Sequence, residues 1–555
     1  MRQWATCTAA LLLLSACGGH QASYEAPTAS PPGPFRITIA GEAVYDHAGV
    51  SVSGAGDVNG DGIDDVIVGA SVNNATGATG NGTDFSLHSG AAYVVYGTTG
   101  GVANVDLSVL TGPTPDNSVG FKILGEAAGD SAGSAVSGAG DVNGDGIDDV
   151  IVGAPSHDSG GYQSGAAYVV YGAPGGVPTV ALGDLDGPSA DNTIGFKITG
   201  EALGDYVGMS VSGAGDVNGD GIGDVIVGAI HNEEEDIRAG AAYVIFGASG
   251  GLSNIDLDVL AGSAPDNSIG FKIVGEALGD KTGQAVSEAG DVNGDGIDDV
   301  IIGAPENNAG GNSAGAAYVL FGAQSDLDNI NLAVFSGPNP DNTRGFRITG
   351  EAAGDEAGYS VSGSGDVNGD GFDDVIVGAR YQDSGGFFSG AAYVVRGLGG
   401  SSNVELNAVA LNHRGFRVTA EAPNDYAGTS VSGAGDFNGD GFDDMIVGAP
   451  RHDAGAGGYS GAAYVVYGAC ASCGVSLNAV ARGTGGLKFA GGAANDSAGV
   501  SVSGAGDFNG DGIDDVIVGS PGHNAGAGYS SGAAYVIGGR DPAVFMQPPL
   551  QYRPQ

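Results

Sequence analysis

Asp57-Val58-Asn59-Gly60-Asp61-Gly62-Ile63-Asp64-Asp65 runs directly into Val66-Ile67-Val68-Gly69, and this union of a carboxylate-rich loop with a β-branched strand decides the fold. The pattern Asp-x-Asn-Gly-Asp-Gly-x-x-Asp begins again at Asp141, Asp216, Asp291, Asp366, Asp436 and Asp507, at spacings of 84, 75, 75, 75, 70 and 71 residues. A period longer than that of helical repeats calls for a propeller or an array. Within one copy the order is Gly120-Phe121-Lys122-Ile123, then Val136-Ser137, the acidic loop, Asp149 to Ala154, and Gly165 to Tyr171. Each is a short β-branched or aromatic run bounded by Gly, Asp or Asn, with no ten-residue segment of helical period. Four strands per copy make one blade. The expected fold is all-β: a seven-bladed β-propeller of four-stranded blades over residues 35–540, followed by a tail at 541–555.

The strand count also fixes the closure. A Phe-x-Ile strand, or its variants Phe416-Arg417-Val418 and Leu487-Lys488-Phe489, precedes the acidic loop in every copy, including Phe35 to Ile39 before the first, and none follows Gly532 to Ile537 in the last. The N-terminal strand is therefore expected to dock on blade seven as its missing fourth strand, removing an exposed edge.

Composition narrows the function. The 555 residues include 108 glycines, yet 42% are hydrophobic, which excludes a disordered acidic chain. Lys and Arg total 18 against 65 Asp and Glu, a formal charge of -47, so the surface repels phosphate backbones and nucleic acid is excluded as a partner.

The acidic loops account for 27 of the 65 acids. Oxygens at positions one, three, five and nine, with the carbonyl of position seven, can converge as a hard, all-oxygen cage for Ca2+ if the two glycines make left-handed turns. The candidate ligands are Asp57, Asn59, Asp61, Ile63 and Asp65; Asp141, Asn143, Asp145, Ile147 and Asp149; Asp216, Asn218, Asp220, Ile222 and Asp224; and Asp291, Asn293, Asp295, Ile297 and Asp299. The last three copies offer Asp366, Asn368, Asp370, Phe372 and Asp374; Asp436, Asn438, Asp440, Phe442 and Asp444; and Asp507, Asn509, Asp511, Ile513 and Asp515. The alternative is an Asx-rich turn without metal. An EF-hand would need Glu at position twelve and a following helix, and Val68 stands there. Asp64 and its equivalents at position eight are Gly223 in copy three and read as cap or turn residues. At ~1 mM Ca2+ and a Kd of roughly 0.1 to 1 mM, each site would add about 0.4 to 1.4 kcal/mol, which makes calcium structural.

The succession Ala132-Gly133, Gly140 to Gly146 and Gly153-Ala154-Pro155 resembles the FG-GAP repeat of integrin alpha-subunit heads. The resemblance covers about residues 35–540 and implies a seven-bladed propeller with up to seven calcium ions. Phe of the motif is replaced by Ala48, Ala132, Val207, Thr282, Ala357, Ala427 and Ala498, and its Pro is kept at Pro155, Pro305, Pro450 and Pro521. No Asp-x-Ser-x-Ser motif, inserted domain or stalk is present, so integrin signalling and the beta-subunit partnership do not carry over.

The N-terminus reads as an export signal. Arg2, an apolar run over residues 5–16 and Leu14-Ser15-Ala16-Cys17 resemble a bacterial lipoprotein signal, with residues 1–16 removed and Cys17 lipidated. An ordinary signal peptide cut nearby is the alternative. By the same resemblance Gly18 favours the outer membrane of a bacterium, and residues 17–34, with four prolines, form a flexible tether. Membrane association is expected through the lipid only.

The implied fold puts the loop after the second strand and the Gly-Glu-Ala-x-Gly-Asp turn on the face opposite the acidic loops. Tyr162, Tyr381, Phe387, Phe388, Tyr459 and Tyr529 there are candidate ligand-binding residues, with wedging between blades as their alternative role. Glu42, Glu126, Glu201, Glu276, Glu351 and Glu421 recur at one position and are expected to bond within the turn. His157, His231, His452 and His523 read as turn residues held apart by the ring, and Cys470 and Cys473 as a local disulfide of an exported protein. No catalytic residue is assigned. The leading function is a calcium-binding surface lipoprotein that binds an extracellular protein or glycan. The other class is a hydrolase or lyase acting on glycan or phosphodiester at the central channel.

Overall fold

Asp149–Ala154, like its equivalents in every repeat, is buried along its whole length, so its continuous Val-Ile-Val run is covered on both faces. The computed structural model describes residues 36–539 apart from 74–87, 102, 159, 235–236, 263, 401, 410–413, 454, 456–457, 469–473 and 525–527. Seven antiparallel sheets form a β-propeller. In the second blade the strands run from the channel outward as Ala135–Gly140, Asp149–Ala154, Ala166–Val170 and Gly195–Thr199. The core is divided into seven apolar clusters at the junctions between blades; one joins Ile67 and Val94 of the first blade to Val150, Val152 and Tyr168 of the second.

The N-terminal strand Arg36–Ala40 closes the ring. It pairs antiparallel with Ala533–Ile537, from Arg36 opposite Ile537 to Ala40 opposite Ala533. Ile37 and Ile39 thereby enter the cluster between blades seven and one.

Beyond the four strands expected, six of the sheets gain a fifth. Val105–Asp106 runs parallel to Ile39–Ala40, and Val180–Ala181 runs parallel to Ile123–Leu124. Each such pair belongs to the repeat that follows, so every connection reaches back to the blade before it. A single helical turn comes next, as at Leu107–Leu110, where the Asp106 carboxylate accepts the Ser108 N–H and Leu107 and Leu110 are buried. The cap and two leucines hold a strand too short to persist alone.

The innermost strands leave a central channel of about 620 Å³. Ser53, Ser137, Ser212, Ser287, Ser362, Ser432 and Ser503 line it, beside Gly54, Gly138, Gly213, Gly363, Gly433 and Gly504. Glu288 occupies that glycine position in blade four and extends a carboxylate into the channel.

Candidate functional site at the two ends of the propeller

Gly60 and Gly62 adopt φ of 72° and 85°, the left-handed geometry that lets the acidic loop fold on itself. Asp57 then accepts the N–H groups of Asp61 at 2.9 Å and Gly62 at 2.7 Å, while Asp61 accepts that of Ile63 at 3.1 Å. Asp65 lies fully buried beneath the loop and accepts the N–H groups of Val58 at 3.1 Å and Gly97 at 2.9 Å. The Asn59 amide also donates to it at 3.3 Å. Burial, opposed by these hydrogen bonds and joined by repulsion from Asp61 and Asp57, pushes the Asp65 carboxyl up to about 8. The same position is pushed to about 8 at Asp149 and Asp299 and to about 7 at Asp224, Asp374, Asp444 and Asp515.

Among the described residues no three His, Cys, Asp or Glu side chains are grouped as a metal cage. The donor set nonetheless fits a hard cation in its chemistry. It is all oxygen, and its buried carboxyl lacks a counter-charge and is crowded by two more acids.

Position eight acts between blades rather than within its own turn. Asp148 Oδ2 accepts the Asp57 N–H of the preceding blade, and the relation repeats from Asp216 to Asp298, Asp291 to Asp373, Asp366 to Asp443, Asp436 to Asp514 and, across the closure, Asp507 to Asp64. Gly56, at φ 68°, makes room: a Cβ there would sit 2.2 Å from Asp148 Oδ2. Opposite Gly223, where the carboxylate is missing, a Cβ on Gly140 would meet nothing within 4 Å.

The repeated glutamates likewise reach out of their turns. Glu126 follows the outer strand of blade one and accepts the Tyr168 hydroxyl at 2.7 Å and the Lys197 ammonium at 2.8 Å, both in blade two. Glu201 holds Tyr243 and Lys272 in the same way. The cation is an arginine in blades four and five, where Arg347 meets Glu276 at 3.0 Å and Arg417 meets Glu351 at 2.8 Å. The histidines join these clasps and are not simple turn residues: His157 lies 2.8 Å from Asp130 and 2.9 Å from Lys197 Nζ, and His452 lies 2.8 Å from Lys488 Nζ. The His231 ring instead meets Tyr206 edge-on at 5.1 Å. Glu233 and Glu234 belong to a short ribbon with Ile237 and Arg238.

At the opposite end, the loop after the second strand accepts hydrogen bonds from the Gly-Glu-Ala-x-Gly-Asp turn. Tyr162 O receives Gly204 N–H at 3.0 Å, Phe387 O receives Asn424 N–H at 3.0 Å and Tyr529 O receives Tyr45 N–H at 3.1 Å. Tyr162, Tyr529, Phe387 and Tyr459 are 70%, 65%, 63% and 53% exposed, which is incompatible with wedging between blades. Tyr381 and Phe388 are half-buried. The fold gathers part of the expected set: Phe388 lies 3.9 Å from Phe387 and 5.1 Å from Tyr381 between ring centroids. Tyr162 and Tyr529 remain in their own blades, Tyr529 against Tyr45 at 5.6 Å. Sequence reasoning missed Tyr426, which meets Tyr381 edge-on at 5.3 Å, and Arg380 and Arg451, which lie over the rings of Tyr381 and Tyr426. The available signal was a departure from the repeat, since Arg380 stands where Pro155, Pro305 and Pro450 stand.

These features define a seven-bladed propeller with one carboxylate-rich end and one aromatic end. The FG-GAP repeat model matches residues 132–170, 285–320, 357–395, 427–466 and 498–537, and the chain is an FG-GAP repeat protein resembling integrin alpha subunits. It is 28% identical over 258 residues to integrin alpha pat-2 of Caenorhabditis elegans, covering 43% of this chain and 17% of that protein. It is 32% identical over 228 residues to phosphatidylinositol-glycan-specific phospholipase D of Homo sapiens, covering 40% and 24%. The chain thus spans about a quarter or less of the length of these curated relatives. The solved Vibrio cholerae biofilm matrix protein Bap1 aligns over 92% of this chain and 89% of its own at 12% identity, with a TM-score of 0.25, too low to bear on the fold.

Cys470 and Cys473, Cys17 and the whole 1–34 segment lie outside the described residues, as does the 541–555 tail. No helix among the described residues is long and apolar enough to cross a membrane.

Proposed function

We propose that this protein is an exported adhesion propeller, stiffened by calcium in its acidic loops, that binds an extracellular protein or glycan with the opposite end. The observation that carries the reading is that, among the described residues, the large exposed aromatics Tyr162, Phe387, Tyr459 and Tyr529 all belong to the loops at the end away from the carboxylates. Exposed tyrosines and phenylalanines on rigid β turns are costly in water and effective in contact, because they bury large area with little loss of side-chain freedom. The likeness to integrin alpha subunits supports the same assignment. Calcium would be held by Asp57, Asn59, Asp61, Ile63 O and Asp65 and their equivalents, where it would neutralise the buried position-nine carboxyl. Export follows from the signal-like residues 1–16, and anchoring from lipid on Cys17.

A melt of the mature, unlipidated chain in EGTA and in rising Ca2+, with calorimetric stoichiometry, tests the loops: a large upward shift with near seven ions per chain supports them, and no shift overturns them. A glycan and peptide array tests binding, where retention of probe on the wild type and its loss on removing exposed aromatics is the expected result.

The likeness to a phospholipase D favours a second reading, hydrolysis of a phosphodiester. Release of product from an array probe, rather than its retention, would establish it.

A further inference from the structure

Between blades five and six the aromatic end opens into a cleft of about 460 Å³, within the size range of small-ligand sites. Its walls are Tyr381, Tyr426 and Tyr459, its polar rim includes Thr429, Asn495 and Ser497, and Arg380 and Arg451 stand at its edge. No Asp or Glu lines it, although the chain has 65 acids and only 18 Lys and Arg. Two of those few cations thus stand at its edge.

The two arginines differ. Arg380 stacks 3.4 Å over Tyr359 and 4.5 Å over Tyr381, and its guanidinium donates to Glu356 at 2.8 Å, which neutralises it and locks it as part of the wall. Arg451 is exposed, lies 4.2 Å over the Tyr426 ring and donates to the Tyr426 hydroxyl at 3.0 Å. Among the described residues it has no ion-pair partner. The acids nearest in sequence on the flanking loops are tied to backbone, Asp383 to the Phe388 N–H and Asp453 to the Gly455 N–H. Arg451 is therefore an exposed but oriented fork held by an aromatic face, the geometry suited to a planar carboxylate.

Backbone conformation makes the aromatics informative. Phe388 and Tyr459 occupy equivalent positions at φ of 50° and 60°, a left-handed region where bulky residues are disfavoured. Gln163, Ser313 and Ser530 hold the same position in other blades, at φ of 53°, 49° and 47°. The turn needs no ring there; Phe388 packs on Phe387 and Tyr381, whereas the exposed ring of Tyr459 faces the cleft beside Arg451.

Resting on the reading that this end binds ligand, we infer that the cleft takes a carboxylate-bearing sugar, a uronate unit of an acidic glycan. Arg451 pairs with the carboxylate, Tyr381 and Tyr459 cover the apolar ring faces, and the tyrosine hydroxyls with Asn495 and Ser497 meet the sugar hydroxyls. A peptide is a poorer fit, because the cleft presents side-chain hydroxyls and rings rather than an open strand edge.

The test is titration of the mature chain, in fixed Ca2+, with trigalacturonate and with its fully methyl-esterified form. The expected result is binding of the acid at least tenfold tighter than of the ester, weakened by salt. Arg451→Gln should lose tenfold or more, Arg451→Lys should recover part of it, and Tyr459→Ala should lose several-fold. Val259→Ala, an exposed residue in the helical turn Leu257–Leu260 of another blade, should be unchanged, and melts of all variants confirm folding. Equal binding of acid and ester, an equal loss with Val259→Ala, or equally tight binding of a polyglutamate peptide overturns the inference. So does a wild-type chain that ignores uronates while its aromatic end retains other array probes, which leaves the adhesion reading standing; retention of nothing at all removes both.

Discussion

Asp148 Oδ2 accepts the backbone N–H of Asp57 at 2.9 Å, so the carboxylate of one blade caps the first residue of the acidic loop in the blade before it. The third blade lacks this bond because Gly223 replaces the acid, and Gly223 has room: a Cβ there would meet only Asp141 and Ala139 backbone at 3.4 to 3.5 Å. Gly223→Asp is expected to stabilise the protein, in excess Ca2+, by about 1 kcal/mol, and Asp148→Ala to cost about the same. Thermal melts of the two variants check both signs.

The buried clasps between blades predict a larger effect. Glu42→Ala removes the carboxylate that meets Lys122, whose side chain is 5% exposed, and should cost roughly 3 to 5 kcal/mol. Lys122→Met in the same chain should recover part of that loss, because that ammonium is then gone from the blade junction. Denaturant unfolding of the single and double variants measures the difference.

Glu288 predicts a pH dependence. Confinement by the ring of strands, with repulsion from Asp298 and Asp373, pushes its carboxyl from 4.5 up to about 7. Its side chain is exposed along the channel wall. A carboxyl that holds its proton more tightly in the fold stabilises it below the ordinary value and progressively less as pH rises toward 7. Glu288→Gln should therefore leave the melting temperature unchanged at pH 4 and raise it at pH 8. Equal shifts at both would point to packing rather than charge.

Deleting residues 36–40 should open the ring. Ile37 and Ile39 leave their cluster at a cost of roughly 3 to 6 kcal/mol, and Ala533–Ile537 becomes an unpaired edge. Light scattering should detect association of the truncated chain at concentrations where the full chain stays monodisperse.

The ring and its closure were legible because they depend on order: a Phe-x-Ile strand before the first loop and none after the last leaves one arrangement. The fifth strands were not, since two residues carry no periodicity and their partners lie in the preceding repeat. The same holds for the clasps. Lys122 in its strand and Glu42 in its turn look unrelated along the chain, yet the fold joins them. At the aromatic end, Phe387 and Tyr459 stood out as rings in loops. Tyr426, Arg380 and Arg451 did not, because the repeat directs attention to what recurs and these residues break it.

Arg36 opposite Ile537 places the first described strand beside the last, so the molecule has no privileged starting point. The first and last described strands meet within one sheet, and a cut in any outer loop, combined with a linker across that seam, would give a permuted chain with the same circle of sheets. Where the chain enters the ring then governs only which blade is completed by hydrogen bonds between two segments far apart in sequence rather than by one continuous run of chain.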